Sequence, residues 1–157
     1  MSFLRPVHRA PADLRRDICR LDGVTGALAS NVLDCALAHC VAPNRAAQAQ
    51  RIRDLIGAHA WTEAALAMVE LTRSRTVRRL CREDGEWHCS IGSQRPIPDW
   101  LDDTIEFSHA VLPLAIVGAL VEALAQSAVE IAPARASVPR SRSDLESIAA
   151  VSCDNYL

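Results

Sequence analysis

Cysteine and histidine stand near each other at two places in the chain, and both are zinc-ligand types. Cys35 and His39 are four residues apart, so on a helix their side chains share one face. Cys81 and His88 flank a short polar turn, and in a hairpin they are cross-strand neighbours. The two pairs complete a tetrahedral set only if the hairpin packs on that helix. The chain has neither CxxC nor HxxxH spacing, so we predict that it binds no metal and no cofactor. If a metal does bind, these four residues are its candidate ligands.

The same segment suggests a second chemistry, that of a thiol nucleophile. An imidazole within reach lowers the pKa of a cysteine, and Cys81 is placed to meet His88. Cys89 is not, because adjacent residues of a strand point to opposite faces. No glycine-shaped oxyanion loop or orienting acid stands nearby, and the GxxxxGK, GxGxxG and GxSxG patterns are absent from the chain. We therefore predict no catalytic residue and favour a protein that is not an enzyme.

A run of arginines offers a third chemistry, the binding of phosphates or of an acidic partner. Five of the ten residues from 73 to 82 are arginines: Arg73, Arg75, Arg78, Arg79 and Arg82. Acidic residues follow directly at 83, 84 and 86, which favours a solvated, partly self-paired surface. Because alternate residues of a strand point apart, we expect Arg79 on the outer face and Arg78 and Arg82 on the inner one. The run then forms no continuous basic stripe, and we predict no nucleic-acid partner.

Composition limits the class of protein. The chain has 157 residues, half of them hydrophobic, which suits one domain with a real core. All 17 basic residues are arginine, and the net charge of -2 excludes a whole-surface field for nucleic acid or anionic lipid. The longest apolar run, AVLPLAIVGALV, has only twelve residues, short of the roughly 18 to 20 of a membrane span. Irregular cysteine spacing and the lack of a signal-peptide pattern predict reduced thiols and a cytoplasmic protein.

Four helices must position these residues. Helical spacing of apolar residues predicts them over 11–21, 25–40, 45–58 and 60–72. After Thr72 the pattern changes, and Asp84-Gly85 stands between two stretches rich in strand-forming residues. This dipeptide is the strongest short-range signal for a hairpin. We predict antiparallel strands over 76–83 and 86–91.

A two-residue turn at Asp84-Gly85 sets the register of the hairpin, with Cys81 opposite His88 and Arg82 opposite Trp87. Side chains then sort by parity into two faces. The predicted core face carries Leu80, Trp87, Cys89 and Ile91, with the Arg82 stem over the Trp87 ring in a cation-π contact. The opposite, wetter face carries Arg79, Cys81, His88 and Ser90. Trp87 is expected to be a core anchor.

The second half of the chain is predicted to end the domain with helices. The acidic residues Asp99, Asp102, Asp103 and Glu106 suit the first turn of a short helix near 102–108 better than an ion site. Pro113 disfavours a helix that continues from this segment through the proline. A second, long and buried helix is therefore predicted from about 111 to 130. Residues 133–157 are rich in proline, serine and arginine, which predicts a flexible tail with a short helix near 143–151. The domain is therefore placed at residues 1–132.

Four segments, AWTEAALAMVEL, GEWHCSIG, PDWLDDTIEFSH and LPLAIVGALVEAL, resemble uncharacterised small proteins found in GC-rich bacteria. The resemblance covers about residues 60–125. It implies a shared helix, hairpin and helix unit, and it implies no activity and no site residue.

These features predict an α+β fold: a mainly helical single domain with one β-hairpin, at about 76–91, packed against the helices. The favoured function is a non-enzymatic protein-interaction module that can self-associate, because a two-stranded sheet leaves outer edges free to pair with a second copy or another protein. The five arginines are its predicted interaction residues. Two alternatives stay open: a nucleic-acid-binding or transcription-associated factor that uses the arginine run, and a small zinc-binding protein. No membrane partner is predicted.

Overall fold

The computed structural model describes residues 9–40, 43–94 and 103–131, with side chains up to residue 127. In these ranges the chain forms five helices and three strands. In chain order they are α1 (Pro11–Ile18), α2 (Gly26–Ala38), α3 (Arg45–Gly57), α4 (Trp61–Leu71), β1 (Arg75–Glu83), β2 (Glu86–Ser93), β3 (Ile105–His109) and α5 (Leu112–Ile131). The four N-terminal helices, the hairpin and the long last helix are confirmed. The predicted tail at 133–157 lies outside the described residues.

Local chemistry explains where the helices begin. Pro11 occupies the first turn of α1, where its missing amide proton costs no hydrogen bond. The Thr25 hydroxyl accepts a hydrogen bond of 3.2 Å from the Leu28 amide and caps α2. Pro113 likewise falls in the first turn of α5, so this helix starts at the proline instead of bending there. Just before α5, the His109 Nδ1 atom accepts a hydrogen bond of 3.0 Å from the Val111 amide.

The hairpin has the predicted turn. Asp84 and Gly85 both have left-handed backbone conformations, with φ of 50° and 88°, as a type I′ turn requires. Cys81 pairs with His88 and Arg82 with Trp87, so the predicted register is confirmed.

A β-bulge interrupts the first strand at Arg78. Val77 pairs with Ile91 and Arg79 with Ser90, which leaves Arg78 as the extra residue of β1. Its side chain lies against Gly92, on the same side of the sheet as Ser90. The prediction that Arg78 shares the inner face with Arg82 is therefore wrong, because it assumed unbroken alternation along the strand.

A third strand replaces the short helix predicted near 102–108. β3 pairs antiparallel with β2, giving a sheet of order β1-β2-β3. Along β3, Ile105 and Phe107 are buried while Glu106 and Ser108 are exposed. This alternation is the period of a half-buried strand. The α+β class is confirmed, but the sheet has three strands and is more than a single hairpin.

Helix α5 is the centre of the core. Its fully buried side chains include Leu114, Ile116, Leu120 and Val121. It packs against α1 and α4 on one side and against β2 and β3 on the other. In the described part of the chain, the helices cover only the sheet face that carries Cys89, Ile91 and Phe107. The opposite face of the sheet is polar, and we refer to it as the outer face.

Two predicted core residues of the hairpin are less buried than expected. Trp87 has the predicted parity, but it lies near the turn and is only partly buried against the core. Leu80 has the parity of Cys89, its partner on β2, yet it is 38% exposed. The expectation that Leu80 belongs to the core is wrong, because α5 packs along β2 and β3 and not along β1.

A glycine in the middle of α5 allows β3 to approach closely. A Cβ atom at Gly118 would overlap the ring of Phe107. We expect Gly118→Ala to destabilise the fold by about 1 to 3 kcal/mol through overpacking. Alanine ordinarily stabilises an exposed helix interior by up to about 1 kcal/mol relative to glycine. Chemical denaturation of the two proteins measures the difference.

Gly57 provides the matched control, since it is a helical glycine of α3 with open space where a Cβ atom would lie. Gly57→Ala is expected to leave stability unchanged or to raise it. In a Phe107→Leu background, Gly118→Ala should cost less than in the natural chain, because the ring that it meets is gone. An equal cost in both backgrounds would show that Phe107 does not limit the packing distance.

Candidate interaction surface on the sheet

The five predicted interaction arginines do not share one environment. Arg75 is an internal structural residue, with a side chain only 10% exposed. Its Nη1 atom lies 2.6 Å from Asp103 Oδ2, and Asp103 Oδ1 accepts a hydrogen bond of 3.1 Å from the Ser93 amide. This ion pair ties the start of β1 to the end of β2 and to the segment that leads into β3.

The other four arginines are exposed and are divided between the two faces of the sheet. On the outer face, Arg79 Nη2 lies 2.6 Å from Glu83 Oε1. On the inner side, the Arg82 guanidinium lies 5.8 Å from the centre of the Trp87 ring, which confirms the predicted cation-π contact. Arg78 lies on the outer face at the bulge, and Arg73 precedes β1 with a left-handed backbone. The run therefore forms no single basic surface.

The two arginine ion pairs should differ in their effect on stability. Removing Arg75 leaves the Asp103 carboxylate without its charged partner, so Arg75→Gln should cost about 2 kcal/mol. Arg79→Gln removes a pair in which both side chains are more than half exposed, and such pairs contribute about 0 to 1 kcal/mol. Urea denaturation of the two variants tests this order. Equal effects would mean that the Arg75 pair is no more than a surface contact.

Cys81 and His88 are neighbours on the outer face, as predicted, but their interactions do not create a nucleophile. The Cys81 thiol donates a hydrogen bond of 3.4 Å to Glu83 Oε1. Desolvation by neighbouring groups raises the pKa of this thiol, and the hydrogen bond to Glu83 raises it further. His88 Nδ1 lies 3.8 Å from Glu106 Oε1 on β3. A thiol held in its protonated form is a poor nucleophile, since the thiolate is the reactive species.

The four metal candidates lie in two separate parts of the fold. His39 Nδ1 donates a hydrogen bond of 2.9 Å to the Cys35 carbonyl at the end of α2. Burial raises the pKa of the Cys35 thiol, which disfavours the thiolate that a metal needs. Helix α2 packs against other helices and not against the sheet, so this pair does not meet Cys81 and His88. Across the described ranges, no group of three or more cysteine, histidine or acidic residues is arranged to hold a metal ion.

Cys89 is a fully buried thiol under the sheet, and burial raises its pKa to about 11 from an ordinary value near 9. Between these two values the unfolded chain has lost a proton that the folded chain keeps. The contribution of this thiol to the free energy of unfolding is therefore fully present below pH 9 and should fall as the pH rises from 9 towards 11. For one group, the slope is at most about 1.4 kcal/mol per pH unit.

The composition makes this alkaline titration easy to measure, because the chain has no lysine and a single tyrosine. Urea denaturation at several pH values between 8 and 11 gives the slope. Cys89→Ala should be less stable at neutral pH and should show a flatter profile. A profile unchanged by Cys89→Ala would assign the alkaline loss to another group.

Free outer edges of the sheet were predicted, but the exposed leucine on the edge of β1 was missed, because Leu80 was expected in the core. β1 lies at one end of the strand order, and no described strand pairs with its outer edge. Leu80 lies on this strand, and in the described ranges it is the one large hydrophobic side chain that is exposed. Unpaired edges are commonly protected by charged side chains and bulges, so the arginines on both sides of Leu80 were the available signal.

A groove of about 440 Å³ lies away from the sheet, between α1 and α5. Pro11, Ala12, Val121 and Ala125 form its apolar lining, and Arg15 Nε meets Glu122 Oε2 at 3.0 Å on its rim. The two charges neutralise each other, and the described residues of the lining include no further ionisable group. What the described lining offers is therefore mainly apolar contact.

No helix in the described part of the chain is both long enough and apolar enough to cross a membrane. Comparisons with models of protein families, with curated proteins and with solved structures find no match. The resemblance over residues 60–125 stays a prediction. The feature of the described residues that most clearly favours a function is the edge of β1, with which no described strand pairs.

Proposed function

We propose that the chain is a non-enzymatic protein-interaction module that binds its partner through the outer edge of β1. The observation that carries this proposal is the unpaired edge strand with a half-exposed Leu80 on it. An unpaired strand presents backbone donors and acceptors that an added strand satisfies, and neighbouring side chains select that strand. The exposed leucine supplies the apolar contact.

The distribution of charge supports a protein partner over a nucleic acid. A phosphate-binding surface needs several cations that face the same way. Arg75 is bound to Asp103, and Arg79 and Arg82 point to opposite faces. Glu83 and Glu86 lie next to the arginines on the outer face, where they oppose a phosphate backbone. An edge with both signs of charge suits a protein strand that also carries both.

Binding through the edge predicts which substitutions abolish it. With immobilised protein and a lysate of the source organism, Leu80→Arg should lose a bound protein that the natural chain retains, because it replaces the apolar contact with a further positive charge. Ala46→Arg, at an exposed position of α3, is the matched control and should retain that protein. Mass spectrometry identifies the captured chain, including a second copy of this one.

The same variants are to be titrated with mixed DNA and RNA at low and physiological salt. We expect no binding at physiological salt. Nucleic-acid binding at that salt that is lost when the four exposed arginines are changed to glutamine would overturn the proposal in favour of the nucleic-acid alternative. Capture that survives Leu80→Arg would also contradict it, since the interface would then lie elsewhere.

A further inference from the structure

Within the described ranges, the outer edge of β1 has a defined pattern of unpaired backbone groups. In a hairpin with a two-residue turn, the residues that flank the turn, Glu83 and Glu86, form a hydrogen-bonded pair. By alternation, Cys81 and Arg79 also direct their amides and carbonyls towards β2. The backbone groups of Leu80 and Arg82 therefore point away from the sheet. The bulge at Arg78 limits this free edge on one side and the turn limits it on the other, which leaves room for a short antiparallel strand.

We propose that this strand is β1 of a second copy of the chain, paired antiparallel about a twofold axis that passes through Cys81. The inference rests on the proposed function and names its partner. In this arrangement Leu80 and the partner's Arg82 exchange their backbone hydrogen bonds. Arg79 faces the partner's Glu83, and the two copies of Cys81 face each other. The two three-stranded sheets join into one continuous sheet.

The charges of β1 select this register over the alternatives. A twofold pairing that uses the free groups of Leu80 and Arg82 has its axis at Leu80, Cys81 or Arg82. An axis at Arg82 places Arg82 opposite its own copy, whereas an axis at Leu80 places no opposite charges together and brings the bulge at Arg78 into the pairing. Like charges directly opposite each other destabilise a strand pair. Only the axis at Cys81 places an arginine opposite a glutamate, and symmetry repeats that contact on both sides.

The side chains are already in position for this pairing. Arg79 and Glu83 both lie on the outer face and contact each other at 2.6 Å, with each more than half exposed. Each can exchange its partner within the chain for the equivalent residue of the other copy, without the burial of a charge. On the inner side, Leu80 meets the stem of the partner's Arg82. Apolar contact and charge matching therefore occur together on one short strand.

The axis gives the pairing a chemical reporter. Cys81 and its copy oppose each other at a non-hydrogen-bonded position, where Cα atoms lie about 4.5 Å apart. A disulfide spans Cα separations of roughly 4.4 to 6.8 Å. An added oxidant that accepts two electrons and two protons can therefore join the two thiols. In either of the other registers the two copies of Cys81 do not face each other.

The contact area implies a weak dimer. A stable interface buries about 1,200 to 2,000 Å², and pairing of residues 79–83 alone offers less. The association should therefore depend on protein concentration and exchange rapidly. Sedimentation of the full chain over a wide concentration range is expected to show monomer at low concentration and dimer at high concentration.

Charge exchange tests the register. Arg79→Glu and Glu83→Arg should each abolish the dimer, because each places like charges opposite each other on both sides of the axis. The double variant Arg79→Glu/Glu83→Arg should restore it. Arg16→Glu, an exposed position on α1, is the matched control and should dimerise like the natural chain. Melting temperatures of the variants, recorded at a concentration where all are monomeric, confirm that they fold.

Oxidation provides the second readout, in a background with Cys19→Ser and Cys153→Ser. Copper phenanthroline at alkaline pH should give a covalent dimer, which Cys81→Ser abolishes. Arg79→Glu should slow its formation strongly, and the double charge exchange should restore the rate. A rate that does not respond to the charges would indicate random collision and overturn the proposal. A chain that stays monomeric at all concentrations would overturn it as well.

These outcomes separate the two proposals. If self-pairing fails but a different protein is captured and then lost on Leu80→Arg, the edge is an interaction site and the second copy is not its partner. If the Leu80→Arg variant still captures the same protein and no dimer forms, both proposals are wrong.

Discussion

The close packing of β3 on α5 determines how much of the sheet the core can cover. Because Gly118 has no side chain, the Phe107 ring rests directly on the helix backbone. The helix is thereby centred on β3 and β2, which bury Ile105, Cys89 and Ile91 against it. A single helix is about 10 Å wide, close to the width of two strands, so the third strand lies beyond its reach. The exposure of Leu80 on β1 follows from this position.

Apart from Val77, which packs against the core, β1 is held by electrostatics and by the hairpin. The ion pair between Arg75 and Asp103 anchors the start of β1 to the rest of the sheet, and the type I′ turn at Asp84-Gly85 anchors its end. Between these anchors the bulge at Arg78 and the exposed arginines protect most of the edge. The arginines of this run therefore have separate roles. One is an internal anchor, one forms the bulge, one makes a surface ion pair, and one lies against the Trp87 ring.

Sequence reasoning recovered the local features of this fold and missed the non-local ones. The hairpin register followed from the turn residues alone, and apolar residues on all sides of α5 predicted a central helix. β3 was mistaken for a helix because Asp103 looked like a residue of a first helical turn, whereas its carboxylate binds Arg75 and the Ser93 amide. The bulge depends on the space above Gly92, and the exposure of Leu80 depends on where α5 packs. Neither is encoded within one strand.

The same limit applies to the candidate site. Sequence proximity correctly paired Cys81 with His88 and Arg82 with Trp87, since both contacts follow from the hairpin. It could not show that Arg75 is internal, because its partner is 28 residues away. The metal candidates failed to converge for the same reason: α2 and the sheet lie on different parts of the core.

The hydrogen bond between His109 and the Val111 amide has a consequence for how the chain folds. The residue that ends β3 also prepares the start of α5, so these two elements and the corner between them form from neighbouring residues. β1 and β2 form a second local unit around their two-residue turn. Contacts of short sequence separation form fastest, because they close the smallest loops. We therefore expect two local units to assemble early, with the ladder between β2 and β3 as the slower step that joins them.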